Sequence, residues 1–93
     1  MAKIWGILRQ KEKIALDTVV ELADADLDEA LDTLCHKLDI PRPVVLRKHR
    51  EEFARFFRTR FTKGDFVESL PYTTFEVELL RMKKKDAEKD PAD

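Results

Sequence analysis

The sequence predicts a small α+β domain. Two stretches, residues 3–22 and 73–82, have the pattern of β-strands: the second arm of the first stretch and residues 73–82 alternate apolar and polar side chains with the period of two that is typical of half-buried strands. Residues 26–38 instead repeat their apolar side chains with the period of an α-helix. The chain has 93 residues, which is the length of one domain, and we assign residues 1–82 to that domain.

The first stretch predicts a β-hairpin whose turn is the polar segment 10–13. Its first arm, residues 3–9, carries apolar side chains on both faces, and Gly6 in its middle indicates a close backbone approach or a bulge. The second arm alternates strictly. Its apolar or β-branched face consists of Ile14, Leu16, Thr18, Val20 and Leu22.

Residues 26–38 predict an amphipathic helix. Asp26 is a candidate N-cap, and the acidic residues of the first turn suit the positive end of the helix dipole. Pro41 and Pro43 end the helix, because a residue before proline avoids the helical region. The face predicted to meet the core consists of Leu27, Leu31, Leu34, Cys35 and Leu38.

The second half of the chain predicts shorter elements. A second helix is expected at residues 44–57, and short strands at 58–61 and 66–68 with a turn at 62–65 between them. The final strand is expected at 73–82. The apolar face predicted for the second helix is Leu46, Phe53 and Phe57, with His49 and Phe56 at its edge.

The last residues, 83–93, predict a disordered charged tail. Their only apolar side chains are those of two alanines, so burial cannot offset the entropy lost on ordering.

The order of these elements resembles that of the β-grasp, the ubiquitin-like fold. The likeness covers residues 3–82, and the turn Asp39-Ile40-Pro41 follows the helix much as a Pro-containing turn does in ubiquitin. The resemblance implies a mixed sheet, with the last strand beside the first and parallel to it, and helices on one face. There is no C-terminal Gly-Gly pair, so ligation or thiocarboxylate chemistry is not implied. The alternative is another α+β sandwich with both helices on one sheet face.

A second resemblance is to a family of short uncharacterised bacterial proteins. It implies no activity and no site. The segments that carry it are Lys3-Ile4-Trp5-Gly6, Leu38-Asp39-Ile40-Pro41-Arg42-Pro43-Val44, Lys48-His49 and Arg58-Thr59-Arg60-Phe61.

The composition also bears on the compartment. Cys35 is the only cysteine, so no intramolecular disulfide can form, which fits the reducing cytoplasm. Arg9 and Lys11 follow the start of the chain too soon for a secretory signal, and no apolar run reaches the ~20 residues of a membrane helix. We therefore expect a cytoplasmic protein that does not enter a membrane.

Opposite charges segregate along the chain. Charged residues make up 40 % of the sequence, yet the formal net charge is −1, which excludes a polybasic, histone-like protein. Residues 12–40 hold nine acidic and two basic side chains, whereas residues 47–63 hold seven basic and two acidic ones. The two segments therefore carry local charges of −7 and +5, and they either pair with each other or serve partners.

The basic segment is the candidate nucleic-acid site. Arginine contacts phosphates, aromatic rings stack on bases, and four phenylalanines are interleaved with the arginines. The alternative is a solvated helix face whose arginines pair with acidic groups elsewhere, with the phenylalanines in the core. The candidate residues are Arg47, Lys48, Arg50, Arg55, Arg58 and Arg60.

The acidic segment predicts a basic counterpart. Asp28 and Asp32 share a helix face, and like charges at this spacing destabilise a helix by about 0.2–0.5 kcal/mol per pair. Helix capping accounts for Asp24, Asp26 and Asp28 but not for Asp32. A basic partner for this face is therefore expected.

No constellation of catalytic or metal-binding residues is visible. Cys35 and His36 are neighbours in a helix and point to different sides, so they do not converge on one ion or substrate. His49 lies at the edge of an apolar face, where a core histidine is expected. We predict no catalytic residue, no cofactor and no metal ligand.

The first strand predicts a partner surface. Trp5 and Ile7 point away from the face of Ile4 and Leu8, and Val19 of the second strand joins them. An outward patch of Trp5, Ile7 and Val19 predicts a protein-binding surface or a homodimer seam, unless the second helix or the tail covers it.

We predict a small non-catalytic protein-interaction domain; the alternative is a nucleic-acid-binding module that uses residues 47–63.

Overall fold

The computed structural model describes residues 1–82, so the tail predicted at 83–93 lies outside the described residues. The elements are β1 (Ala2–Gln10), β2 (Lys13–Leu22), α1 (Leu27–Leu38), α2 (Arg47–Phe56), β3 (Arg58–Thr62), a 3-10 turn (Lys63–Asp65) and β4 (Thr74–Met82). The strands form one four-stranded sheet in the order β2-β1-β4-β3. Strands β1 and β4 are therefore central, and β2 and β3 form the two edges.

The predicted α+β class is confirmed, but the sheet is antiparallel throughout and not mixed. The β-grasp resemblance implied a parallel pair of first and last strands, whereas Ala2 pairs with Met82, and Arg9 with Thr74, in antiparallel register. The reason is that α2 and β3 form a helix–strand pair ahead of β4. This pair delivers the chain to the end of the sheet where β1 finishes, and there Thr73 N–H donates to Arg9 O at 2.8 Å.

β1 and β2 form the predicted hairpin, with a two-residue turn at Lys11 and Glu12. Lys11 has a φ of 61°, in the left-handed region, and its N–H donates to Thr73 Oγ1 at 2.7 Å. A bulge in β2 makes Ala15 an extra residue, so that Ile14 lies opposite Arg9. Ile14 therefore leaves the face that strict alternation predicts for it.

α1 begins where the sequence predicts, and it lies directly on the sheet. Asp26 Oδ1 accepts the Asp28 N–H at 3.1 Å, and Asp39 ends the helix in the left-handed conformation. Leu34 is fully buried against the bare backbone of Gly6, where an added Cβ would lie 2.8 Å from Leu34 Cδ2. Gly6 thus marks a close approach of helix and strand, as predicted.

α2 is shorter than predicted, and its buried face differs. His49 and Phe53, one turn apart, are 0 % and 6 % exposed. Phe56 and Phe57 are 60 % and 55 % exposed, whereas the periodicity predicts Phe57 in the core and Phe56 at its edge. The helix ends at Phe56, and Phe57 turns into the left-handed conformation, which takes its side chain off the helix face. Leu46, also predicted on that face, precedes the helix and is exposed.

Both helices pack on the same face of the sheet, as predicted, and enclose one core. α2 lies against β3, and the His49 and Phe61 ring centroids are 4.2 Å apart. Phe61 and Phe75 are fully buried. Residues 66–68 form no strand, because Phe66 turns into the core and the chain continues irregularly to β4.

Gly6→Ala is expected to lower the free energy of unfolding by about 1–3 kcal/mol, the usual cost of overpacking a core. The new methyl group would meet Leu34, which is itself fully buried. Gly64→Ala is the matched control, since a Cβ there meets only Thr62 Oγ1, at 3.9 Å. Urea unfolding measures both variants, and equal stabilities would contradict this account of Gly6.

Lys11→Gly is expected to raise the free energy of unfolding by about 1 kcal/mol, because glycine adopts a positive φ without a Cβ clash. The Lys11 side chain is exposed and makes no ion pair within residues 1–82, so little is lost. Glu12→Gly is the control, and it is expected to destabilise because the φ of Glu12 is not positive. The urea midpoints of the two variants should move in opposite directions; a Lys11→Gly midpoint at or below that of the wild type counts against the argument.

Candidate interaction surfaces

One face of the sheet lies away from both helices. Trp5 and Ile7 of β1 point to this outer face, and Val19 lies directly opposite Trp5 in β2. Ile7 is buried, but it does not belong to the core beneath the helices. The three residues of the predicted partner patch are therefore neighbours on one face.

Polar side chains cover Ile7, which is only 1 % exposed. Trp5 Nε1 donates to Asp17 Oδ2 at 2.8 Å, and Asp17 lies opposite Ile7 in β2. On the other side, Arg9 Nε donates to Glu76 Oε2 at 3.0 Å, and Glu76 lies opposite Ile7 in β4. These neighbouring strand side chains account for the burial of Ile7. Ile7 is therefore inaccessible to a partner in this conformation, and the accessible residues of the predicted patch are Trp5 and Val19.

The acidic face of α1 pairs with arginines from later in the chain. Arg50 Nη1 and Nη2 donate to the two carboxylate oxygens of Asp28 at 3.1 and 3.2 Å. This hydrogen bonding, with the charge of Asp28, raises the pKa of Arg50. Arg42 Nη1 donates to Asp32 Oδ1 at 2.7 Å, and Arg42 Nη2 lies 3.7 Å from Asp28 Oδ1. The basic partner expected for Asp32 thus lies within the same chain.

The remaining residues of the predicted nucleic-acid set divide into paired and unpaired ones. Arg47 Nε lies 3.2 Å from Glu51 Oε2 on its own helix, and Arg60 Nε lies 3.5 Å from Glu76 Oε2. Side chains held in this way are less available to phosphates. The members that make no ion pair within residues 1–82 are Lys48, Arg55 and Arg58.

An open groove of about 710 Å³ runs along β3. One wall is α2, where Lys48, Glu52 and Phe56 follow each other at intervals of four residues and so share a helix face. Phe56 is 60 % exposed in this wall. We call this feature the α2–β3 groove. Its other lining includes Arg58, Thr59, Arg60 and Thr62 of β3, with Trp5 and Arg9 from the outer face of the sheet.

Most carboxylates of the α2–β3 groove are engaged within the chain. Glu52 Oε1 accepts the Thr59 Oγ1 hydroxyl at 2.7 Å, and Glu76 binds two arginines. Four basic and three acidic side chains line the groove, for a formal charge of +1. Lys48 and Arg58 make no ion pair in the part of the chain that the structure describes, so they are available to a ligand.

Sequence reasoning found only part of this groove. Glu52 and Phe56 were missed as site residues, although their four-residue spacing from Lys48 was a usable signal. Of the predicted nucleic-acid residues, Lys48, Arg58 and Arg60 line the groove, and Arg47, Arg50 and Arg55 do not.

The cysteine and the two histidines lie in different environments. Burial raises the pKa of Cys35 to about 11, so its thiol stays protonated at neutral pH. His49 is fully buried; its Nδ1 accepts the Leu46 N–H at 2.9 Å, and its Nε2 lies 3.6 Å from Asp65 Oδ2. His36 is exposed on α1. Across residues 1–82, no three His, Cys, Asp or Glu side chains are grouped so that they could hold a metal ion.

Neither helix within residues 1–82 has the length and apolar character needed to cross a membrane. Comparison of the chain with protein-family models, with curated proteins and with solved structures found no match. The geometry of the described residues is therefore the basis for a functional proposal.

Acid is expected to destabilise the fold through His49. Burial lowers the pKa of its imidazole from the ordinary 6.5; Asp65 and Glu52 oppose this effect, and Lys48 reinforces it. Below pH 6.5 the unfolded chain therefore takes up a proton that the folded chain does not, so the free energy of unfolding falls as the pH drops through this range. In His49→Gln, which keeps an acceptor for the Leu46 N–H, this dependence is expected to be weaker.

Urea unfolding at a series of pH values from neutral to mildly acidic measures this fall in the free energy of unfolding. Each unit by which folding lowers the pKa of His49 corresponds to about 1.4 kcal/mol. His36→Gln is the matched control, because His36 is exposed, and it should keep the pH dependence of the wild type. The same pH dependence in His49→Gln and in the wild type would show that another group is responsible.

Proposed function

We propose that this protein is a small non-catalytic protein-interaction domain that binds an extended segment of a partner protein in the α2–β3 groove. One observation carries the proposal: the groove joins an unpaired strand edge to an exposed phenylalanine, Phe56. A strand edge binds a peptide through backbone hydrogen bonds, and pockets beside it select among the peptide side chains. The two features together are what this mode of recognition needs.

The free edge belongs to β3. This strand is the last of the sheet, and within residues 1–82 no strand pairs with its far side. Its five residues, Arg58–Thr62, suit a peptide segment of similar length. Successive side chains of an added strand point to opposite faces. Those on the side of α2 would contact Phe56 and the aliphatic stem of Lys48.

The free cations favour an acidic partner segment. Lys48 stands in the α2 wall and Arg58 at the start of β3, and neither makes an ion pair within residues 1–82. We infer a partner segment with an apolar side chain that contacts Phe56, flanked by Asp or Glu. Opposite charges at an interface mainly give specificity and a faster association.

A nucleic acid fits the same groove less well. Glu52, Glu76 and Glu78 line it and would repel phosphates, and the formal charge of the lining is only +1. Arg50, one of the predicted phosphate ligands, is held by both oxygens of Asp28. We therefore favour a protein segment as the ligand.

The location that we propose is the cytoplasm. Cys35 is the only cysteine of the chain, and its thiol is free and buried. A domain without disulfides suits a reducing compartment.

Peptide selection tests the proposal. A library of random displayed peptides is selected on the immobilised protein, and the enriched peptide is titrated into 15N-labelled protein. We expect the amide resonances of Arg58–Thr62 and of α2 to shift. Phe56→Ala is expected to weaken the Kd at least about tenfold, as a buried aromatic anchor does. Phe57→Ala is the matched control, because Phe57 is equally exposed but lies outside the groove lining, and it should leave the Kd unchanged.

Two kinds of result would overturn this assignment, one from the peptide experiment and one from nucleic acids. The first is the absence of any enriched peptide, or shifts confined to another surface. The second comes from titrating labelled single-stranded DNA and RNA at low salt. Binding that is lost in Lys48→Ala and Arg58→Ala, combined with no peptide binding, would replace the protein ligand by a nucleic acid.

A further inference from the structure

The other edge of the sheet, β2, is also open, and we propose that two copies of this chain pair through it, so that one sheet continues across a two-fold axis. β2 has ten residues, and within residues 1–82 its far side has no strand partner. Ile14, Leu16 and Val19 are 45 %, 46 % and 45 % exposed along it. This edge lies opposite the α2–β3 groove, so the inference does not depend on the proposed function.

β2 has few of the features that usually protect an edge strand, and the two that it has, Lys13 and the bulge at Ala15, lie at its hairpin end. Natural edges tend to be short, or to carry proline or charges that discourage pairing. β2 contains no proline, and its two carboxylates are directed to β1. Asp17 accepts the Trp5 indole N–H at 2.8 Å, and Glu21 Oε2 lies 3.8 Å from Lys3 Nζ. A long, partly apolar edge is therefore left open to another strand.

α1 covers only one half of β2, and this favours a second copy of the chain as the strand that pairs with the β2 edge. Val20 and Leu22 are 5 % and 8 % exposed beneath α1, whereas residues 13–17 are exposed. In an antiparallel pair of β2 strands, the uncovered half of one copy lies beside the covered half of the other. Leu16 then extends the core that already holds Val20 of the second copy. The covered half of β2 in each copy thus lies beside the uncovered half in the other, and an unrelated strand would not provide this match.

Charge and the bulge select the register. A two-fold axis perpendicular to the sheet keeps both helix-bearing faces on one side, so only residues of the same face can lie opposite each other. Asp17 opposite Asp17 or Glu21 would bring like charges together, which is destabilising. Leu16 opposite Leu16 would require pairing across the bulge at Ala15. The register centred on Thr18 avoids all of these, with the opposite pairs Thr18–Thr18, Asp17–Val19 and Leu16–Val20. A register centred on Val20 also avoids them, but it places Leu16 beyond the end of the partner's β2, so the register centred on Thr18 is the one in which Leu16 is covered.

Light scattering tests the dimer. The wild type at submillimolar concentration is expected to have twice the chain mass of 10.9 kDa. Val19→Asp is expected to be monomeric and folded, because it sets a carboxylate opposite Asp17 of the second copy. Val67→Asp is the matched control, since Val67 is 89 % exposed outside β2, and it should stay dimeric. A monomeric wild type, or a Val19→Asp variant that stays dimeric, overturns the proposal.

Cysteine cross-linking tests the register. In Thr18→Cys the two new side chains lie opposite each other on the axis, with Cβ atoms about 4.5–5.5 Å apart, so mild oxidation should join the two chains. Cys35 is buried and protonated, so it does not compete. Ala15→Cys, exposed on the same strand, is the control and should cross-link far more slowly. Faster cross-linking of Ala15→Cys than of Thr18→Cys overturns the proposed pairing.

Discussion

The contact between Gly6 and Leu34 sets the position of α1, and the surfaces of the protein depend on that position. Leu34 occupies the space in which any other residue at position 6 would carry a Cβ. Protein cores are packed tightly enough that a helix seated in this way has little freedom to shift. α1 therefore covers Val20 and Leu22 and leaves residues 13–17 uncovered. The Gly6–Leu34 contact is thus one determinant of which half of β2 is covered.

Pairs of arginine and aspartate connect the two oppositely charged halves of the chain. Exposed ion pairs contribute about 0–1 kcal/mol each, so these pairs matter more for orientation than for stability. Arg50 joins α2 to the start of α1, and Arg42 holds the connecting segment against the same helix. Part of the opposite charge of the two segments is thus paired inside the molecule. Lys48 and Arg58, which make no ion pair within residues 1–82, line the α2–β3 groove.

The regular elements could be predicted from the sequence, because their burial patterns are periodic. The hairpin, α1 with its Asp26 cap, and β4 are all present. The antiparallel direction of β4 could not be predicted, since the order of elements does not determine how distant strands pair. The exposure of Phe57 could not be predicted either, because it depends on a left-handed residue at the helix end that periodicity does not encode.

The candidate site was only partly accessible to sequence reasoning for a similar reason. Lys48 and Arg58 stand out by composition, but the exposure of Phe56 depends on where α2 ends. The burial of Ile7 depends on side chains far away in the chain, such as Glu76. Contacts between residues of large sequence separation leave no local pattern to detect.

The two open edges of the sheet are at its opposite ends, and this has a consequence for the strength of binding. In the proposed dimer the two β2 strands pair with each other at the centre of the joined sheet, and each end of that sheet carries one α2–β3 groove. At a strand spacing of about 4.8 Å, eight strands hold the two grooves about 34 Å apart. A partner with two suitable segments on a linker of that reach would bind both, and its second attachment would be governed by effective concentration. A short peptide contact that is weak by itself would then become a durable bivalent one.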